Sequence, residues 1–152
     1  MEILCLQQNK TLKDKIKSVN DLGNENIIFA NRQKGSGTRI FLDHEIEKTG
    51  VDSSKINGYE DELYTHLEVG LAIQSGKANV GLATVAVSKL FGLPFVPLVN
   101  ESFDMVLPQD VFFKKEVQAF IETLNSIECR NKVEPLGDYD FSSSGKIIYT
   151  TE

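Results

Sequence analysis

Residues 27–43 read Ile27-Ile28-Phe29-Ala30 and then, from Asn31 to Asp43, NRQKGSGTRIFLD. A short, continuously apolar run before a glycine loop is the pattern of a buried strand, as found in parallel sheets. The segment after the loop carries Phe41, Leu42 and Ile46 on one helical face, with Asp43, Glu47 and Lys48 opposite and Gly50 at the stop. The unit is therefore strand, glycine turn, helix. In such a unit the first helical turn offers unpaired amides and the positive end of the helix dipole. Gly35 and Gly37 let backbone come close to a ligand, Ser36 and Thr38 add hydroxyls, and Arg32 or Arg39 can add a guanidinium fork. A phosphate or tetrahedral oxyanion fits that set. A plain tight turn with Ser36 as an ordinary N-cap fits the spacing equally well.

Outward from this unit, strands and helices alternate. Strands are expected at Glu2–Gln7, Ile56–Tyr59, Asn79–Ala83, Phe95–Val99 and Ser102–Leu107. Lys10–Leu22 is weakly helical, with Ser18 as a cap. A helix buried on two sides is expected from Glu60 to the Gly76 stop, and a shorter one from Thr84 to Phe91, closed by Gly92. Phe113, Val117, Phe120, Ile121 and Leu124 stripe a last helix, and 137–152 reads as a loop-like, partly mobile tail. This alternation predicts an α/β fold with a mostly parallel sheet flanked by helices. Ligands of such sheets sit beyond the carboxyl ends of the strands, where the glycine loop lies.

Composition narrows the function. The 152 residues carry 16 Lys plus Arg against 22 Asp plus Glu, for a net charge of −6, which argues against nucleic acid as the partner. A small anion remains compatible, because a few local donors override a global charge. The two cysteines, Cys5 and Cys129, have neither disulfide-scaffold nor zinc spacing. His44 falls on a polar helix face, and with one histidine per helix a metal site is not expected. His66 fits either a ligand donor or a structural polar contact. The sequence shows no P-loop, no complete GxGxxG because Ile40 replaces the third glycine, no nucleophile elbow and no Ser-His-Asp set. No secretory h-region or transmembrane run is visible, so the chain is expected to be cytoplasmic, away from membranes.

Five stretches taken together, NRQKGSGTRIFLD, GYEDELYTH, AIQSGKANVGLATVAV, GLPFVPLVNESFDMVLP and LGDYD, resemble one family over roughly residues 27–140. It is the periplasmic-binding-protein-like domain found beside molybdopterin biosynthesis enzymes and molybdate-responsive regulators. The resemblance implies a type 2 periplasmic-binding-protein fold, ligand binding rather than catalysis, and a molybdate, tungstate or molybdopterin-type anion as ligand, with no further cofactor. It places the ligand contacts at Arg32, Gln33, Gly35, Ser36, Gly37, Thr38 and Arg39. Tyr59, Thr65 and His66 follow as flanking cleft positions, and Glu101–Asp104 lies where the chain returns between lobes. Only 26 residues precede Ile27, so the domain spanning 1–152 is expected to hold one complete lobe plus a return segment, its first lobe truncated. A second copy or a partner lobe would then complete the cleft. A protein-interaction module with a vestigial cleft is the alternative. Three or four charge-assisted hydrogen bonds net roughly 1.5–3 kcal/mol each. Micromolar binding needs about 8 kcal/mol after several are lost to ordering. A single lobe is thus expected to bind on the order of millimolar.

Overall fold

The computed structural model describes residues 2–12, 15–137 and 139–150. Lys13 and Asp14 of the expected Lys10–Leu22 segment, and Asp138, Thr151 and Glu152 of the expected tail, lie outside them. Strands β1 (Glu2–Gln8), β2 (Phe29–Ala30), β3 (Val80–Thr84) and β4 (Phe95–Glu101) form one sheet in the order β2-β3-β1-β4. β2 and β3 pair in parallel, while β1 lies antiparallel to both β3 and β4. Three strands thus share one direction and β1 is inserted against them, so the sheet is mixed, with a single parallel ladder.

Helices cover both faces. α1 (Gly37–Thr49) lies on one side, and α2 (His66–Gln74) and α3 (Val85–Phe91) lie on the other. The alternation of β1 and β3 sorts the core. Leu4, Leu6, Val80 and Leu82 point to the α1 side, where they meet Phe29, Leu42, Ile46 and Leu22. Ala83 points to the other side, to Val69, Ile73 and Val87. Buried on both faces, β1 keeps Leu4, Cys5 and Leu6 wholly inaccessible. α2 approaches both neighbours closely. A Cβ on Gly70 would lie 2.5 Å from Val87 and Phe91 atoms, and one on Gly81 2.5 Å from Val69.

Several expected elements differ. Lys10–Leu22 forms two 3-10 turns, Lys10–Leu12 and Val19–Gly23, rather than a helix. Ile56–Tyr59 is a turn, not a strand. Gly58 there takes φ 93°, and a Cβ on it would run into the Phe29 carbonyl oxygen. The segment touches β2 through Phe29 N–H donating to the Asn57 carbonyl (2.8 Å), and just beyond both an isolated bridge joins Arg32 to Leu63, without building a ladder. The helix expected from Glu60 begins only at His66. A reciprocal cap fixes that start: Thr65 Oγ1 accepts from Glu68 N–H (3.1 Å), and the Glu68 carboxylate accepts from the Tyr64 and Thr65 amides (2.6 and 3.0 Å). Ser102–Leu107 is irregular, because β4 already ends at Glu101. The last helix is split into α4 (Gln109–Phe112), α5 (Lys115–Asn125) and α6 (Ile127–Val133), with Ser126 Oγ capping α6 through Cys129 N–H (3.1 Å).

Candidate functional site

The chain leaves the carboxyl end of β2 at Ala30 and enters α1 through residues 31–36. Gly35 takes φ 87°, the left-handed value that turns the loop. Ser36 is the α1 N-cap, its Oγ accepting from Arg39 N–H (3.1 Å). The Lys34 amide is held by Glu62 (3.2 Å), and Lys34 Nζ pairs with Glu60 (3.1 Å) at the surface. Among the described residues, the amides of Gly37 and Thr38 have no protein acceptor. The loop therefore keeps part of the amide fan that its sequence suggests, the remainder being capped from within.

The two arginines of the segment part company. Arg39 turns into the protein and is 2% exposed. Its Nε donates to Asp43 (2.8 Å), its Nη1 to the Tyr59 carbonyl (3.2 Å), and its guanidinium stacks 4.1 Å from the Tyr59 ring centroid. Tyr59 Oη donates to the same Asp43 oxygen (2.8 Å). Burial pulls the Arg39 guanidinium down, but the bonds with Asp43 and Tyr59 outweigh it and leave it raised. Arg39 and Tyr59 are thus bound to each other and to Asp43.

Arg32 is different. It is 8% exposed and is aimed along the start of α2. Its Nε donates to Gln33 Oε1 (3.1 Å) and to the Leu63 carbonyl (3.2 Å), and its Nη2 to the Tyr64 carbonyl (3.0 Å). Its Nη1 is buried and has no partner. Gln33 is thereby the side chain that steadies Arg32. The fork expected from sequence is reduced to one nitrogen. Burial lowers the Arg32 guanidinium, partly countered by Glu68.

His66, the first residue of α2, also carries a buried unpaired atom, Nδ1. Burial, with the Arg32 charge beside it, lowers its imidazole to about 4, so it is neutral at physiological pH. Thr65 is committed to the helix cap. The structure thus brings Arg32, Gln33, Thr65 and His66 together, places Gly35 and Ser36 in the adjoining loop and Gly37 and Thr38 in the first turn of α1, and sets Arg39 and Tyr59 behind it. What sequence reading missed is Glu68, whose carboxylate orders the turn that receives Arg32. The Thr65-His66-Leu67-Glu68 spacing of a capping box could have revealed it. Among the described residues no group of three or more His, Cys, Asp or Glu is placed to hold a metal ion, and no helix is long and apolar enough to cross a membrane.

This α/β lobe, with a loop-to-helix site at the strand ends, matches the PBP-like family, a PBP superfamily domain, over residues 3–125. The chain belongs to the PBP superfamily. Curated relatives of this PBP domain include the uncharacterized protein YvgK of Bacillus subtilis, 31% identical over 138 residues, which cover 90% of this chain and 44% of YvgK. Another is an uncharacterized Clostridium pasteurianum protein encoded in the 5′ region of a 2Fe-2S ferredoxin gene. It is 29% identical over 110 residues, covering 72% of this chain and 97% of that protein. Similar solved structures include an ancestral amino acid-binding protein that preceded cyclohexadienyl dehydratase, with a TM-score of 0.58 at 15% identity, covering 91% of this chain and 59% of that one. PEB3 with bound L-phospholactate is also similar, with a TM-score of 0.55 at 17% identity, covering 90% of this chain and 64% of PEB3. An ancestral arginine-binding protein bound to arginine has a TM-score of 0.58 at 16% identity, covering 90% of this chain and 61% of that one. The PBP domain thus spans less than half of YvgK and about six tenths of these structures. At such identities the structures establish the periplasmic-binding-protein fold.

Proposed function

We propose that this PBP domain is a ligand-holding lobe for a small anion with terminal oxygens, in a sensing or delivery role. Molybdate, tungstate or a molybdopterin-type anion are the first candidates, following the motif resemblance. The observation that carries the reading is Arg32: a cation more than nine-tenths buried, positioned by two backbone carbonyls, with one buried nitrogen left to donate. A buried guanidinium nitrogen without an acceptor is costly unless another group completes it. The free Gly37 and Thr38 amides beside Ser36 add sequence-independent donors for oxygen. Completion of the cleft by a further lobe or by a second copy belongs to this proposal.

Small organic acids are a second reading, favoured by the arginine, glutamine and L-phospholactate bound in the neighbouring structures. One free guanidinium nitrogen grips a single oxygen, which suits a carboxylate as well as an oxyanion. Calorimetric titration of the purified chain with molybdate, tungstate, sulfate, L-phospholactate and arginine separates these classes. Saturable binding of an oxyanion, weakened about tenfold or more in Arg32→Lys, is the expected result. Silence across the whole panel, in heat and in thermal shift alike, would discard the binding reading. It would favour the interaction module, whose support is the exposed apolar stretch of Phe103, Met105 and Val106.

A further inference from the structure

Two buried polar atoms without partners lie near the start of α2, and they come from different parts of the chain. Arg32 Nη1 arrives from the loop after β2, and His66 Nδ1 from the first residue of the helix. Arg32 Nη2 donates to the Tyr64 carbonyl (3.0 Å), two residues before His66, so the guanidinium stands close to the ring and its charge acts on it. They do not hydrogen-bond to each other. Once the imidazole is protonated, both groups can only donate. A single anionic oxygen between them satisfies both.

We infer that one anionic oxygen of the ligand is held jointly by Arg32 Nη1 and His66 Nδ1, and that binding draws a proton onto the imidazole. The inference rests on the anion reading above and deepens it, making His66 both a ligand contact and the source of a pH response.

The electrostatics follow from the neighbours. From the loop after β2, the charge facing His66 is Arg32, held by Leu63, Tyr64 and Gln33. On α2 itself the nearest charge is Glu68, whose carboxylate accepts from the Tyr64 and Thr65 amides. β3 presents Val80–Thr84, without a titratable group, and α3 turns Val87 and Phe91 toward α2. β1 contributes the Cys5 thiol, which donates to the Ala83 carbonyl (3.3 Å). In the free protein, then, burial and Arg32 keep the ring neutral. A bound anion offsets Arg32 and favours the imidazolium, whose Nδ1–H donates to it. Proton uptake on binding means that affinity rises as pH falls.

The test uses the full chain and its two histidines, His44 and His66, which separate by NMR with a His44→Gln variant. Sulfate is the probe, because it keeps its charge through mildly acidic pH, and tungstate is added near neutrality. If the bound imidazole returns to about its ordinary value of 6.5, sulfate binds roughly thirtyfold tighter at about pH 5 than at about pH 8. Calorimetry in buffers of different ionisation heat then registers close to one proton taken up. His66→Asn keeps an N–H donor near the Nδ1 position without titrating, so it is expected to bind sulfate with a flat pH profile. Circular dichroism checks that it folds. Sulfate binding that is independent of pH, or a slope that survives in His66→Asn, overturns this inference and leaves the anion reading standing. Failure of both sulfate and tungstate to bind at any pH removes both.

Discussion

Arg32 and Arg39 bracket one glycine loop, yet they do opposite work. Arg39 is closed in a set with Asp43 and Tyr59, while Arg32 keeps a nitrogen open. Arg39→Ala is therefore expected to act on stability, lowering it by about 2–3 kcal/mol in urea denaturation. The value sits below that of a fully buried pair because the Asp43 side chain is 43% exposed and regains water. Anion affinity of the folded fraction should stay within about twofold, in contrast to Arg32→Lys. His66 sets a pH dependence in the free protein. Its folded value of about 4 is depressed from 6.5, so the unfolded chain binds more protons between those values. Stability is whole above about pH 6.5 and declines as pH falls toward 4, by about 2–3 kcal/mol in all. Thermal melts from about pH 7.5 to 4.5 check this, and His66→Asn should remove most of that slope. None of this division was legible beforehand. Two arginines near a glycine loop look alike in sequence, and only the positions of Asp43, Tyr59 and the 63–64 carbonyls separate them.

At the scale of elements, glycines divide into those that packing requires and those that it leaves open. At Gly70 in α2, helix propensity alone favours alanine by about 1 kcal/mol. The added Cβ, however, would meet Val87 and Phe91 at 2.5 Å. Overpacking of this kind costs about 1–3 kcal/mol, so Gly70→Ala is expected to be net destabilising by about 1 kcal/mol or more in urea midpoint. Gly37, at the start of α1, has open space where a Cβ would stand, with nothing within 4 Å, and no positive φ. Gly37→Ala should leave stability within about 0.5 kcal/mol, so any loss of sulfate or molybdate affinity reports directly on ligand approach. Long, periodic elements were readable: β1, β3, α1 with its Ser36 and Gly50 caps, and α3 with Gly92. Elements that depend on a tertiary contact were not. The 56–65 segment has enough apolar residues to pass for strand and helix, but the close approach of Gly58 to Phe29 and the Thr65–Glu68 cap make it a turn. The apolar stripe of Phe113 to Leu124 belongs to a region of three short helices in place of one, because Ser126 starts a new helix and Phe113–Lys114 interrupts the old.

For the molecule as a whole, alternation of strands and helices was sufficient for the α/β class and for the position of the loop at a strand end. It could not disclose the direction of β1, because a strand buried on both faces reads the same either way. Leu6→Ala probes that placement. Leu6 is fully buried between β3 and β4, and its truncation is expected to cost about 3–4 kcal/mol in a single cooperative urea transition. A loss below about 1 kcal/mol would mean that β1 is peripheral to the sheet. The net charge of −6 adds a global term, since it repels the anion proposed to bind at Arg32. Raising salt should then leave sulfate binding unchanged or tighten it modestly, as the buried contact is poorly screened while the long-range repulsion is screened well.

The insertion of β1 has one more consequence, which concerns time rather than energy. Ribosomes make this strand before either of its partners, because its two hydrogen-bonding edges belong to residues 80–84 and 95–101. At ordinary translation speeds its last partner follows on the order of 5–20 s later. Throughout that interval Leu4, Cys5 and Leu6 form a nascent, sticky β segment without a mate, a natural client for chaperones and a point at which newborn chains can pair wrongly with each other.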